Sequence, residues 1–287
     1  MDYQTTIQLN QIRLDEDQPE ERIQDVWDYN FEEEFLHIIK MAAKYPYIAM
    51  DTEFPGVLTI NTDRYNIFSY KTLRDNVNQL KLIQLGITFC DKDGLIATDC
   101  PTWQFNFKFN VNTDKHKEQS IQLLKDAGIN FDYFSQYGLD PLYFAEMMTM
   151  SGLLLNSRLS WISFHSGYDF GYLVKLFTNN NLPETQEEFF QLLNILFPKL
   201  YDIKHIITEC DGYKGSLEKL ADLLHIHRRG KKHQAGSDSI VTAQIFFSLQ
   251  TDVLHGTVDD KFLGVLHGVA DDSYFAPMAS TPTSNTN

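Results

Sequence analysis

Two acids two residues apart, Asp51 and Glu53, close a short apolar run, Tyr47-Ile48-Ala49-Met50. Residues i and i+2 of a strand point to the same face, so a strand over Tyr47–Glu53 presents both carboxylates together. Like charges that close repel, and each raises the other's pKa. A divalent cation removes that penalty, and hard oxygen donors suit Mg²⁺ or Mn²⁺. An isolated Asp-x-Glu is as often a solvated strand end or a salt-bridge pair, so the rest of the chain must decide. Asp169 follows the strand-like stretch Trp161-Ile162-Ser163-Phe164 and enters a helix, and ligands of α/β sheets gather at strand ends. Asp238 stands at the mouth of a last helix, on a face shared with Val241, Thr242 and Ile245, so that face packs inward. His233 lies just before it in a Gly-containing loop. Imidazole is the side chain whose ordinary titration range spans neutral pH, which suits proton transfer.

Each of these has a plainer reading. An Asp at a helix start is commonly a cap or a partner of the helix dipole. A lone His is usually a surface or satisfied core residue. The ordered combination of Asp-x-Glu, a mid-chain Asp and a late His-x₄-Asp is what points to metal-assisted acid–base chemistry. The basic cluster Arg228-Arg229-Gly230-Lys231-Lys232 runs straight into His233. It reads either as a solvated loop that offsets nearby acids or as a phosphate contact, with Lys231 and Lys232 as the substrate-binding candidates. Phe54, next to Glu53, is the aromatic candidate for stacking on a base; Tyr168 and Tyr172 read as core. Cys210 with His225-Ile226-His227 lacks metal-ligand spacing and reads as structural.

The elements that must position these residues follow from periodicity. Phe31, Phe35, Ile38, Ile39 and Ala42 predict a helix over Phe31–Lys44, ahead of the strand Tyr47–Glu53. Gly56–Asn78 is polar and turn-rich. Lys81–Phe89 reads as a buried strand. Asp91-Lys92-Asp93-Gly94 reads as a hairpin turn into a strand Leu95–Thr98, and Trp103–Phe109 completes a meander. Helices are then predicted over Ser120–Ala127, Phe131–Gln136 and Leu139–Met150, a strand over Trp161–Phe164, and helices over Asp169–Phe177, Glu184–Leu196, Asp202–Thr208 and Ser216–His225. A last helix, Ser237–Leu249, has Ser237 as its cap. This order implies a mixed α/β sheet flanked by helices. Residues 1–20 read as a flexible lead, 21–270 as a single domain, and the Ser/Thr/Pro/Asn-rich 271–287 as a disordered tail.

With 287 residues, 43% hydrophobic and 13% aromatic, the chain has the material for a full core. The net charge of −15 speaks against a generic nucleic-acid binder, yet patches and bound cations decide that question. Three cysteines, Cys90, Cys100 and Cys210, with no C-x-x-C pair, imply a reducing compartment. The polar start reads as no signal peptide, and no apolar run reaches the ~20 residues of a membrane span. The expectation is a soluble cytoplasmic protein, with the nucleus as a second location and no membrane partner.

The wider strings carry a family resemblance. Asp51-Thr52-Glu53-Phe54-Pro55-Gly56-Val57, Leu73-Arg74 with Asn76-Val77, Ile83-Gln84-Leu85-Gly86, Ser163–Leu173 and His233–Asp238 resemble the Caf/Pop-type deadenylases of the Ccr–Not complex. These belong to the DEDDh 3′–5′ exonucleases. The resemblance runs from about Trp27 to about Gly268. It implies an RNase H-like fold and removal of 3′ poly(A) from single-stranded mRNA with release of 5′-AMP. It implies that Asp51, Glu53, Asp169 and Asp238 hold two Mg²⁺ or Mn²⁺ ions about 4 Å apart, Asp51 bridging both, with His233 as the base. It also implies a Not-type scaffold and a second, unrelated deadenylase as partners. Where the family often has an Ile-Gly-Pro-like approach to its His, this chain has Arg229-Gly230-Lys231-Lys232, and Asp114-Lys115-His116-Lys117 lacks a Tyr-Ala common there. These departures bear on phosphate contacts and leave the catalytic set intact. The alternative reading is a catalytically weak adaptor that bridges the scaffold and the other deadenylase.

Overall fold

A computed structural model describes residues 23–59, 70–228 and 230–269. The predicted lead and tail lie outside the described residues. In chain order, β1 (Ile23–Val26) precedes α1 (Phe31–Lys44), which turns Phe31, Phe35 and Ile38 inward. β2 (Tyr47–Glu53), α2 (Tyr70–Val77), β3 (Gln84–Cys90) and β4 (Thr102–Asn106) follow. Next come α3 (Glu118–Asp126), α4 (Phe131–Tyr137) and α5 (Pro141–Met150). Pro141 in the first turn of α5 and the Asp140 carboxylate, which accepts from the Tyr143 N–H, start that helix. β5 (Ser160–Ser163) leads to α6 (Gly167–Thr178), and α7 (Gln186–Leu196) begins with a Thr185–Glu188 capping box. β6 (Leu200–Asp202) runs into the short α8 (Ile203–Ile206). α9 (Leu217–Leu223), capped by Ser216, and α10 (Ala235–Ser248) follow.

The six strands form one sheet in the order β1-β4-β3-β2-β5-β6. β2, β3 and β4 are an antiparallel meander, β5 and β6 extend it parallel to β2, and β1 joins β4 in parallel at the far edge. This is the mixed, RNase H-like sheet with helices on both faces. Strand parity sorts the faces. Ile48 and Met50 of β2 join the larger apolar cluster with Phe35, Leu73, Phe144, Phe170 and Phe189. Ala49 joins the opposite cluster with Ile203, Leu220 and Phe246. Asp51 and Glu53 share the parity of Ala49, so they project from β2 towards the face that α10 covers. Among the described residues no helix is long and apolar enough to cross a membrane.

Several expectations are corrected. The stretch read as turn-rich contains α2, whose Tyr70, Leu73 and Val77 are buried at helical spacing among polar neighbours. Leu95–Thr98 is no strand: Ile96 makes one isolated bridge to Cys90, and the chain then bends at Asp99, whose carboxylate binds Lys44 and Tyr45 at 2.5 Å each. Asp202 both ends β6 and caps α8, its side chain accepting from the Lys204 N–H, and Thr208 lies in a 3₁₀ turn after that helix. β1 and β6 were not expected: β1 (Ile-Gln-Asp-Val) is half polar and β6 has only three residues. Ser237 does not cap α10. The helix starts at Ala235, and Ser237 is buried in its first turn.

Candidate active site

The closeness of α10 to the sheet builds the site. Gly86 of β3 pairs with Asp51 of β2. A Cβ on Gly86 would stand 2.0 Å from the Ala235 carbonyl oxygen, so only glycine lets the start of α10 lie on the sheet here. The first N–H groups of α10 are met by the sheet itself. Ala235 N–H donates to Gln84 Oε1 at 3.3 Å and Gly236 N–H to Gln104 Oε1 at 2.9 Å. These distant amides do the work expected of Ser237. With the helix mouth fixed, Glu53, Asp238 and His233 each offer a ligand atom within 4.8 Å of one another. His233 is exposed, and its N–H donates to Asp238 Oδ2 at 3.2 Å. Its φ of 59° is in the left-handed region, a conformation uncommon for a residue other than glycine and found at functional sites.

Asp169 comes from the other side. It sits in the first turn of α6 and is 8% exposed. The Thr52 N–H donates to its Oδ1 at 3.1 Å, and the Thr52 hydroxyl donates to the same oxygen. Thr52 lies between Asp51 and Glu53, so one backbone unit locks the third carboxylate onto the strand that carries the first two. The loop before α6 is held in turn by Asp202. Its buried carboxylate accepts from the N–H groups of His165, Ser166, Lys204 and His267 at 2.7, 3.3, 2.9 and 3.0 Å.

The electrostatics agree with the geometry. Burial pushes Asp51 and Glu53 well above the ordinary carboxylate range, and the charges of Asp238 and Asp169 push them further. Burial raises Asp169 to about 6, with the Thr52 hydrogen bonds opposing. Burial also raises Asp238, and the Arg228 guanidinium opposes it. Four acids that resist ionising together, with an imidazole beside them, are a donor set that suits a hard divalent cation. Asp51, Glu53, Asp169 and Asp238 are the residues that would hold it.

The secondary candidates separate. Lys232 is ion-paired with Glu218 at 2.6 Å, and Arg228 is ion-paired with both Glu218 and Asp238, so these two cations offset acids. Lys231 is exposed, and its Nζ is near Gly128. Phe54 stacks on Tyr168, with ring centroids 5.3 Å apart and an 18° interplanar angle, and is tilted against Tyr172. A cavity of about 150 Å³ opens beside Asp169, walled by Phe54, Tyr168, His165, His267 and Val269. It is small beside the ~300–1,000 Å³ of drug-sized pockets and suits a single ring system. Sequence reading missed Arg228 as a partner of Asp238, Thr52 as the clasp of Asp169, and the pair His165 and His267, whose rings lie 5.4 Å apart. Burial pushes both of these imidazoles down. The Asp-Thr-Glu string did contain a signal for Thr52, since the middle residue of such a strand must face the opposite side.

Comparison with known proteins decides the family. A model of the CAF1 family ribonucleases matches residues 26–150 and 144–246. The chain belongs to this family. CCR4-associated factor 1 homolog 10 of Arabidopsis thaliana is 48% identical over 252 residues, covering 85% of this chain and 90% of the relative. The poly(A) ribonuclease pop2 of Schizosaccharomyces pombe is 43% identical over 247 residues, covering 84% of this chain and 73% of the relative. The structure of S. pombe Pop2p in its Mg²⁺- and Mn²⁺-bound form superposes with a TM-score of 0.81 at 43% identity, over 86% of this chain and 99% of that one. Yeast CAF1, solved with the NOT1 MIF4G domain, matches with a TM-score of 0.74 at 30% identity, over 85% of this chain and 96% of that one. The CAF1 chain described here thus has the fold of the Ccr–Not deadenylase family.

Proposed function

We propose that this CAF1-family chain is a 3′–5′ exoribonuclease that shortens poly(A) tails and releases 5′-AMP. The observation that carries the reading is the cluster of Glu53, Asp238 and His233 at the mouth of α10, with Asp51 on the same strand face and Asp169 clasped to that strand by Thr52. Two divalent cations held there by Asp51, Glu53, Asp169 and Asp238 would supply water acidification and charge stabilisation for in-line displacement at phosphorus. The chain's own residues do the rest. The exposed His233 imidazole accepts the proton of the attacking water, and the His233 backbone holds Asp238. Thr52 fixes Asp169 against the strand of Asp51 and Glu53, so that carboxylate is held in place beforehand. Phe54 and the cavity beside Asp169 receive the terminal base, and the exposed Lys231 approaches the phosphate backbone. Lys232, tied to Glu218, contributes to the field of the loop. The name of S. pombe pop2 as a poly(A) ribonuclease supports the substrate, and the metal-bound form of that protein supports Mg²⁺ or Mn²⁺.

The NOT1 complex of yeast CAF1 supports a Not-type scaffold as partner, and the reading extends to a second deadenylase in the same assembly. We propose the cytoplasm, where mRNA decays, as the protein's location, with the nucleus as a second. The test is 5′-labelled RNA ending in oligo(A), incubated with the purified protein and Mg²⁺ or Mn²⁺. EDTA, Asp51→Ala and an oligo(C) tail run alongside. Stepwise shortening from the 3′ end, abolished by EDTA and by Asp51→Ala and slower on oligo(C), is the expected result. No shortening by the folded protein in either metal overturns the catalytic reading and favours an adaptor.

A further inference from the structure

Arg228 has no assigned part in the chemistry, yet its guanidinium reaches the carboxylate cluster. Nη1 is ion-paired with Asp238 Oδ1 and donates to the Ser237 hydroxyl at 3.0 Å, while Nη2 is ion-paired with Glu218. The side chain is only 13% exposed. Asp238 Oδ2 accepts from the His233 N–H, so both oxygens of this acid are engaged by the chain itself. Glu218, in the first turn of α9, shares its charge between Arg228 and Lys232.

We propose that Arg228 is a resident counter-cation. It holds Asp238 when no divalent cation is bound and competes with that cation for the same carboxylate, and Glu218 sets how hard it competes. The reasoning is electrostatic. A buried cluster of acids needs positive charge to stay folded. A fixed guanidinium on one of them supplies it and, by the same charge, repels an arriving cation. Glu218 draws the guanidinium away from Asp238 and partly cancels it. Arg228 is therefore a positioning residue that tunes cation affinity. The proposal rests only on the carboxylates taking a divalent cation, and not on the RNA substrate.

The signs of two substitutions separate this from a plain tether between α9 and α10. Binding of Mn²⁺ alone to the full chain is measured by titration calorimetry in metal-free buffer. Arg228→Met keeps the apolar stem and removes the charge. It should bind the first Mn²⁺ about tenfold more tightly, while melting earlier than the parent in EDTA. Glu218→Gln should bind Mn²⁺ about threefold more weakly, because Arg228 is left to Asp238 alone. Arg228→Lys keeps the charge and should stay within about twofold of the parent. A tether predicts that both Arg228→Met and Glu218→Gln lose stability and affinity together. Unchanged or weaker Mn²⁺ binding by Arg228→Met overturns the proposal, as does a parent protein that binds no Mn²⁺. If Arg228→Met does not fold, Glu218→Gln decides: weaker Mn²⁺ binding with no earlier melting in EDTA upholds the proposal, and weaker binding with an earlier melt, or unchanged or tighter binding, overturns it. Failure to shorten oligo(A) would leave these affinities, and so this inference, untouched.

Discussion

Asp169→Asn should make the metal-free protein more stable at alkaline pH, although it removes a metal ligand. Burial raises this carboxyl from 3.8 to about 6. A group whose folded pKa is raised contributes stability that is fully present below its unfolded pKa. That contribution is lost as pH rises through the folded value, so the loss runs from about pH 4 to about pH 6. A shift of about two units at 1.36 kcal/mol each is on the order of 3 kcal/mol, carried as a penalty by the ionised native state at pH 8. Asparagine stands in for the protonated acid: it is neutral, nearly isosteric, and its Oδ1 can still accept from the Thr52 N–H and hydroxyl. Urea unfolding in EDTA at pH 4, 6 and 8 reads the difference. The variant should match the parent at pH 4 and exceed it at pH 8 by up to about 3 kcal/mol. Saturating Mn²⁺ should reverse the order, since only the parent keeps the full donor set. A variant no more stable than the parent at pH 8 in EDTA would refute the claim that burial holds the Asp169 carboxyl above its ordinary range.

Gly86→Ala should cost at least the ~1–3 kcal/mol of an overpacked core, because its Cβ meets backbone 2.0 Å away, and should weaken Mn²⁺ binding as Asp238 leaves the strand. Parent-like Mn²⁺ affinity in a folded Gly86→Ala protein would show that the close approach of α10 is not what assembles the site. His233→Ala should keep Mn²⁺ binding and lose about 10²–10⁴ in rate on oligo(A). Loss of cation binding instead would make His233 a ligand and leave the base unassigned.

The parts of the site that were legible in the sequence are those that local periodicity fixes. The alternation of Tyr47–Glu53 is enough to put Asp51 and Glu53 on one face, and the apolar spacing after Asp238 is enough to turn that helix inward. What could not be read depends on contacts between distant residues. Ser237 is a good cap by residue type, yet the helix begins two residues earlier because Gln84 and Gln104 reach it from the sheet. Arg228 reads in sequence either as a cation of a solvated loop that offsets nearby acids or as a phosphate contact, and only the fold brings it to Asp238. Asp202 has a local sign only for its cap on Lys204; its grip on the N–H groups of His165, Ser166 and His267 depends on the fold. The helix Tyr70–Val77 was hidden because its three apolar contacts lie among Lys, Arg, Asp and Asn.

The clamp at Asp202 also orders events during synthesis. Its partners are the turn at His165 and Ser166 and the far later turn at His267. Asp238 likewise reaches Glu53 only once α10 has been made. A ribosome adds residues from the N-terminus, and contacts of such sequence separation form last. The two acids of β2 therefore leave the ribosome long before anything that could arm them. A nascent chain stalled before residue 238 would carry the acids of β2 without the Asp238 carboxylate that completes the cluster.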